Sequence, residues 1–230
     1  YYWNVNKQSA HLLDEIRQAF TEGNQEKAEM LTRQNFNSEV SYDADGETPF
    51  RFGSFTTMGE FYVETGLNII GMSDYKRILS LDSAMAVVQF KKDHVAYQRN
   101  YFISYPANVM VMRFSADQPG KQNLVFSYAP NPVSTGNMAS DSNKGLVYSA
   151  SLDNNGMKYV VRIQAETKGG TLSNADGKLT VKGADEVVFY ITADTDYKPN
   201  FDPDFKEPKT YVGVNPEETT KEWRNNALSQ

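Results

Sequence analysis

The residues of this sequence that could do chemistry are few and lie far apart. Of the two histidines, His11 falls in a helical pattern and His94 lies at the start of a predicted strand, and they are distant from each other in the chain. Metal centres and catalytic bases need partner groups that converge on one point, so both positions favour structural or solvated roles. Cysteine is absent, which excludes disulfides, thiolate ligands and cysteine nucleophiles.

Two acidic segments could hold a cation. The first, Asp43-Ala44-Asp45-Gly46, begins like a calcium loop, but the later ligand positions are out of register, so an ordinary turn is favoured. The second is a proline-rich segment that carries Asp194, Asp196, Asp202 and Asp204. A solvated acidic loop is favoured there over a cation site, because loops are normally polar and exposed.

The third candidate chemistry is the stacking of aromatic rings on sugars. Six aromatic residues lie in weakly patterned ends and loops: Tyr1, Tyr2, Trp3, Tyr197, Phe201 and Tyr211. Packing against a neighbouring domain is the favoured alternative, because protein interfaces are rich in aromatic residues. The sequence therefore predicts no catalytic residue, no cofactor and no metal site, and it leaves any carbohydrate-binding residues unidentified.

The composition argues against two classes of partner. The chain has 230 residues, a formal net charge of −6 and no run of lysine or arginine longer than two, which disfavours a nucleic-acid partner. No apolar run approaches the roughly 18 residues of a membrane-spanning helix. With 40% hydrophobic and 13% aromatic residues, the chain can form one large β domain with a helical attachment.

Helical patterns occur near both ends of the chain. Apolar residues recur at helical spacing over Ser9 to Glu22, and Gly23 can close that helix before a second helix from Gln25 to Gln34. Towards the other end, Asn215 can cap a helix that covers residues 216 to about 228. No core remains downstream for this last helix, so we interpret it as the beginning of a linker.

The patterns between these helices are those of strands, and the region from Asp74 to Phe114 predicts a meander. The predicted strands are Phe55–Glu64, Ala84–Phe90, His94–Ser104, Val109–Phe114, Asn123–Tyr128, Leu146–Leu152, Met157–Thr167, Gly170–Leu172, Lys178–Lys182 and Glu186–Ala193. Asn155-Gly156 and the segment Asn174–Gly177 predict hairpin turns. Pro130 to Lys144, rich in Asn, Ser and Gly, predicts a surface loop.

These elements together predict a mainly β fold, an antiparallel sandwich with an N-terminal helical hairpin and a C-terminal linker helix. We divide the chain at two points. Residues 1–52 form the hairpin and an irregular entry segment packed on the sandwich, and residues 53–214 form the sandwich. Residues 215–230 begin a linker helix.

Several segments in this order resemble the amino-terminal domain of glycoside hydrolase family 95, the inverting α-L-fucosidases and their α-L-galactosidase relatives. The segments that carry the resemblance are Met58–Val63, Asp74–Ala84, Tyr97–Pro106 and Val109–Arg113, with Ile16-Arg17, Glu22–Ala28 and Asn215-Pro216 in support. The match covers nearly the whole chain and is most specific in the middle.

The resemblance implies a galactose-mutarotase-like β-supersandwich joined by a helical linker to an (α/α)6 barrel. In that family the catalytic groups lie in the barrel, so no catalytic residue carries over to any position here, and the isolated chain is expected to be inactive. The resemblance also implies a periplasmic or secreted parent enzyme that acts on fucosylated or related glycans. Two alternatives stay open: an independent carbohydrate-binding module and a mutarotase-like sugar-modifying enzyme on the same sandwich.

Overall fold

The computed structural model describes residues 9–36, 56–153, 156–197 and 215–229, which divide into two compact units, Tyr1–Thr56 and Thr57–Gln230. In the first unit a 3-10 turn, Ser9–Leu12, leads into helices α1, Leu13–Thr21, and α2, Gln25–Phe36. The two helices bury Ile16, Ala19 and Ala28 between them. Gly23 adopts a φ of 73° and donates its N–H to Phe20 O at 3.1 Å, which confirms the predicted left-handed cap.

The described part of the second unit contains twelve strands followed by a helix. The strands are β1 Gly59–Glu64, β2 Ser73–Ser80, β3 Met85–Lys92, β4 Val95–Ser104, β5 Val109–Ala116, β6 Gln122–Pro130, β7 Ser134–Ser142, β8 Gly145–Leu152, β9 Lys158–Lys168, β10 Thr171–Ala175, β11 Lys178–Ala184 and β12 Glu186–Thr195. The helix, α3, covers Pro216–Leu228. Among the helices in the described ranges, none is long and apolar enough to cross a membrane.

The strands form two antiparallel sheets that pack face to face. The larger sheet has eight strands in the order β2-β3-β4-β5-β12-β9-β8-β7, and the smaller has four in the order β1-β6-β11-β10. Each pairing between the described strands is antiparallel. The prediction of a mainly β antiparallel sandwich is therefore confirmed.

The core lies between the two sheets and is built from alternate residues of the central strands. On β12, Val187, Phe189 and Ile191 point inwards and are at most 4% exposed. Phe189 packs on Phe126 of the smaller sheet with ring centroids 4.5 Å apart. Since side chains alternate along a strand, the even-numbered residues of β12 face away from this core. We call that side of the eight-stranded sheet the outer face.

The predicted loop from Pro130 to Lys144 is wrong, because most of it is strand β7. This strand lies at the edge of the larger sheet and pairs on one side with β8, from Ser134 opposite Leu152 to Ser142 opposite Gly145. Most of its residues are at least partly exposed. An edge strand with so little burial needs few apolar residues. The polar composition of β7 is therefore the same as that expected of a loop.

The predicted boundaries of two strands in the meander need correction. Lys91 and Lys92 belong to β3, and the turn itself consists of Asp93 and His94, whose φ values of 49° and 62° suit a tight hairpin. Ile103, near the end of β4, is 71% exposed. Helix α3 packs against the preceding part of the chain: Thr220 is fully buried, and its backbone oxygen accepts a hydrogen bond from β12.

Candidate functional site

The two histidines take up separate structural positions. His11 lies in the 3-10 turn of the first unit, and His94 lies in the β3–β4 turn, where its backbone oxygen accepts a hydrogen bond from Gln118 Nε2 at 3.2 Å. Across the described residues, no group of three or more histidines and carboxylates is placed to hold a metal ion. Within the described residues, neither histidine therefore belongs to such a group.

The described part of the acidic segment has structural roles. Asp194 Oδ2 accepts a hydrogen bond from Thr219 Oγ1 of α3 at 2.7 Å, and Asp196, which is buried, accepts one from the backbone N–H of Lys158 at 3.0 Å. Tyr197 is 52% exposed. The other residues singled out for cation binding or sugar stacking lie outside the described residues: Asp43, Asp45, Asp202, Asp204, Tyr1, Tyr2, Trp3, Phe201 and Tyr211.

The outer face of the larger sheet brings together polar groups that are distant in sequence. Cross-strand partners share a face, so the register places one residue from each of five neighbouring strands, β2 to β5 and β12, in a single row. These residues, which we call the polar row, are Lys76, Gln89, Gln98, Ser115 and Glu186. The row crosses the sheet at right angles to the strands.

A groove of about 660 Å³ lies over one end of this row, on strands β2 to β5. We call it the outer-face groove. The charged and amide side chains that line it are Asp74, Lys76, Gln89, Lys91, Gln98 and Asp117. Its lining therefore holds two cations, two anions and two neutral amides.

The amides of the groove are held by a directed chain of hydrogen bonds. Gln89 Nε2 donates to Gln98 Oε1 at 2.9 Å, and Gln98 Nε2 donates to Asn100 Oδ1 at 3.0 Å. Asn100, itself buried, donates to the sulfur of Met85 at 3.2 Å. A primary amide has two N–H donors and an oxygen with two acceptor sites, so this chain uses only part of the capacity of the two glutamines.

Three of the four ionic side chains of the groove have partners within the sheet. Asp74 and Lys91 form an ion pair at 2.8 Å, which lowers the pKa of the Asp74 carboxyl and raises the pKa of the Lys91 ammonium. Asp117 Oδ1 accepts the backbone N–H of Ala96 at 2.9 Å. The groove thus combines balanced charge with ordered neutral amides, an arrangement suited to recognising a neutral polar molecule.

The other half of the outer face lies beneath α3 and contains an ionic cluster around the buried side chain of Arg162. Arg162 of β9 binds Asp141 Oδ1 through Nη1 at 2.5 Å and Glu217 Oε2 through Nη2 at 3.0 Å. Arg224 of α3 binds the second oxygen of Asp141. We call these four residues the Arg162 cluster. Burial lowers the pKa of both arginines, and the Glu217 carboxylate opposes that effect at Arg162.

A buried hydrogen bond supports the same contact between helix and sheet. Thr192 Oγ1 of β12 donates to Thr220 O of α3 at 3.0 Å, and both residues are at most 1% exposed. Asn215 caps the helix, because its side-chain oxygen accepts the N–H of Glu217 at 3.1 Å. Together with the Arg162 cluster, these bonds fix α3 on the sheet.

Sequence reasoning missed both features, although part of the signal was present. The alternation of Gln98 and Asn100 with apolar neighbours indicates one polar face on β4. Gln89, however, is a single amide in an otherwise apolar run, and only the pairing of β3 with β4 places it opposite Gln98. The Arg162 cluster had no local pattern to reveal it, because its members come from β7, β9 and α3.

Comparison with curated proteins finds two fucosidase relatives. The chain is 29% identical over 181 residues to the Aspergillus niger protein named "Probable alpha-fucosidase A", an alignment that covers 74% of this chain and 22% of that protein. It is 26% identical over 168 residues to "Alpha-L-fucosidase 2" of Arabidopsis thaliana, covering 59% and 18%. The chain therefore spans about a fifth of the length of these relatives.

Among solved structures, a protein from human microbiome that is provisionally named a kojibiose phosphorylase overlaps with a TM-score of 0.45 and 11% sequence identity. That overlap covers 74% of this chain and 24% of the other. The family model described as "Glycosyl hydrolase family 65, N-terminal domain" matches residues 3–200. This match covers most of the chain, and the chain accordingly belongs to that family of glycosyl hydrolase N-terminal domains.

Proposed function

We propose that this chain is the non-catalytic amino-terminal domain of a fucosidase-type inverting glycoside hydrolase of family 95, in which it supports a separate catalytic domain. Two curated relatives named as fucosidases support the fucosidase type. Both are several times longer than the stretch they share with this chain, which leaves room in them for another domain. The parent enzyme would remove terminal α-L-fucosyl or related L-sugar groups from glycans.

The observation that carries the supporting role is an exposed apolar patch at one end of the meander. Strands β2 and β4 run in the same direction and therefore terminate at the same end of the sheet. Four large apolar residues in or just after these strands are 71% to 89% exposed: Leu79, Leu81, Ile103 and Tyr105. We call this set the turn-end patch. Clustered exposure of this kind is typical of a surface that another protein body covers.

The carboxylates of the outer-face groove also favour a non-catalytic domain. An inverting glycosidase needs one carboxylic acid whose pKa is raised, so that it can protonate the leaving group. The ion pair with Lys91 instead lowers the pKa of Asp74, and Asp117 is engaged by the backbone of Ala96. This pairing suits a binding surface better than a general acid.

The remaining parts of the proposal concern boundaries and location. We propose that residues 53–214 act as the sandwich, that residues 1–52 belong to the same domain, and that residues 215–230 begin the connection to the catalytic domain. We further propose that the parent enzyme is periplasmic or secreted, as the resemblance to fucosidases implies. Cell fractionation of a tagged full-length protein would test the location.

The test of the main proposal is an activity measurement on the purified 230-residue chain. We expect no hydrolysis of an aryl α-L-fucoside or of fucosyl-lactose above the rate of a mock-purified control. A rate above that control, carried by the purified chain, would refute the non-catalytic assignment. For the fucosidase type, the full-length enzyme is assayed on aryl α-L-fucosides and α-L-galactosides, and activity on neither would refute it.

A further inference from the structure

We propose that the outer-face groove is a binding site for a neutral saccharide. The inference rests on the geometry and chemistry of the groove and needs no catalytic domain. It can therefore hold or fail independently of the proposed supporting role, which rests on the turn-end patch at the other end of the meander.

The first argument is the size and place of the groove. Its volume of about 660 Å³ lies within the range of roughly 300 to 1,000 Å³ that is typical of small-molecule sites. It lies on strands β2 to β5, whereas α3 packs against β12, β9 and the neighbouring part of β5. In the described structure the helix thus covers one half of the outer face and leaves the groove open.

The second argument is the chemistry of the groove floor, by which we mean the surface around Gln89 of β3 and Gln98 of β4. Saccharide hydroxyls both donate and accept hydrogen bonds, and an amide presents an N–H donor and a carbonyl acceptor side by side. Gln89 and Gln98 supply two such amides, joined at 2.9 Å. The bond between them leaves donors on both nitrogens and the oxygen of Gln89 for a ligand. Adjacent hydroxyls of a pyranose ring could each donate to and accept from such a pair.

The third argument is the balance of charge. Lys76 and Lys91 face Asp74 and Asp117 in the lining, and the Asp74–Lys91 ion pair neutralises two of these charges directly. An anionic ligand such as a phosphate or a sulfated sugar would meet carboxylates as well as ammonium groups, so it would gain little. A neutral ligand can instead accept hydrogen bonds from the lysines and donate to the carboxylates.

The fourth argument is that the floor is held rigid from below. On the opposite side of the same strands, the rings of Phe90 and Tyr97 stack at 5.1 Å between centroids, and both residues are buried. Arg99 packs over the Phe90 ring at 5.2 Å and over the Phe114 ring at 5.7 Å. Strands packed in this way hold the two amides in place before a ligand arrives, which reduces the entropy lost on binding.

The experiment is calorimetry on the 230-residue chain with a panel of neutral oligosaccharides, fucosylated and unfucosylated, and matched sulfated sugars at millimolar concentrations. We expect binding of at least one neutral saccharide. Gln98→Leu should weaken it about tenfold or more, since a hydrogen bond to the ligand is lost and the Gln89 amide loses its partner. Gln18→Leu, the same change at an exposed glutamine of α1, should leave the affinity unchanged.

A second variant and a second measurement keep the proposal testable if Gln98→Leu does not fold. Lys76→Ala removes an exposed side chain from the groove wall and should weaken binding severalfold. In 15N-labelled protein, saccharide should shift the side-chain amide signals of Gln89 and Gln98 but not that of Gln18. Three results would overturn the proposal: no binding across the neutral panel, a preference for the sulfated sugars, or binding that neither groove variant alters.

Discussion

The two halves of the outer face carry similar polar residues but differ in what covers them. Under α3, Arg162 and Arg224 have side chains that are 5% and 12% exposed, and each is paired with a carboxylate. In the groove half, Asp74 and Lys91 are 59% and 58% exposed, and the amides beside them remain accessible to the groove. Coverage therefore decides whether a polar group on this sheet stabilises the fold or stays available to a ligand.

The physical reason for this contrast is desolvation. A charge that loses its water under a helix is costly unless a partner replaces that water, so the Arg162 cluster must be complete. A solvated ion pair contributes little to stability because water already stabilises both charges. Substitutions should therefore lower the free energy of unfolding strongly in the covered half and weakly in the groove half.

The largest effect is expected for Asp141→Ala. This change leaves both buried arginines without their shared carboxylate, and breaking a buried pair in this way costs about 3–5 kcal/mol. The free energy of unfolding, measured in urea, should fall by that amount. Asp82→Ala, at an exposed turn, is the matched control and should change it by less than about 0.5 kcal/mol. Equal small losses in both variants would contradict the contrast.

The next effect tests the helix contact without any charge. Thr192→Val keeps the shape of the side chain but removes the donor to Thr220 O, so a buried carbonyl loses a partner at a cost of about 1–2 kcal/mol. Urea unfolding again gives the measurement. Thr171→Val on the exposed edge of β10 should be nearly neutral. If the two variants unfold alike, α3 does not depend on this hydrogen bond.

A smaller effect is expected in the groove half. Gln98→Leu removes a partly exposed neutral amide, and it should change the free energy of unfolding by about 0.5 kcal/mol or less. The same variant is the one expected to lose saccharide affinity. A loss of several kcal/mol would show that the groove amides hold the sheet together, and it would remove the difference between the two halves.

The smallest effect concerns pH. The folded-state pKa of Asp74 lies below its ordinary value of 3.8, so its contribution to stability is present above that value and is lost as the pH falls through the folded pKa. The folded-state pKa of Lys91 lies above 10.5, so its contribution is present below that value and is lost as the pH rises through the folded pKa. The small difference in unfolding free energy between wild type and Asp74→Asn should therefore stay constant from about pH 5 to 9.

Salt supplies the control for that measurement. Both side chains of the pair are more than half exposed, so added salt should reduce the already small difference. A difference that varies across the neutral range, or one that salt does not change, would mean that Asp74 stabilises the fold through a contact other than Lys91.

Many elements of the fold could be predicted because their signals are local. Gly23 closes α1 as expected, Asp176 and Gly177 join β10 to β11 with positive φ values, and Asn215 caps α3. In each case the residue type sets the backbone conformation within a few positions. The sandwich class followed from the number and order of such segments.

The two halves of the outer face could not be predicted, because they depend on contacts between distant segments. Strand β7 lacks an apolar pattern, since it pairs on one side only. The Arg162 cluster joins residues as far apart as 83 positions, as between Asp141 and Arg224. No window of the sequence contains both partners, so burial of the arginine was not visible.

The sequence by itself determined several turns, most of the strands and helices, and that the fold is an antiparallel sandwich. Turn chemistry and side-chain alternation are properties of neighbouring residues, so they can be interpreted along the chain. Only the tertiary structure decided that Gln89 lies opposite Gln98 and that α3 covers one half of the sheet face and leaves the other open. Register and coverage arise from pairing and burial between separate segments, and these decide which polar groups are free to bind.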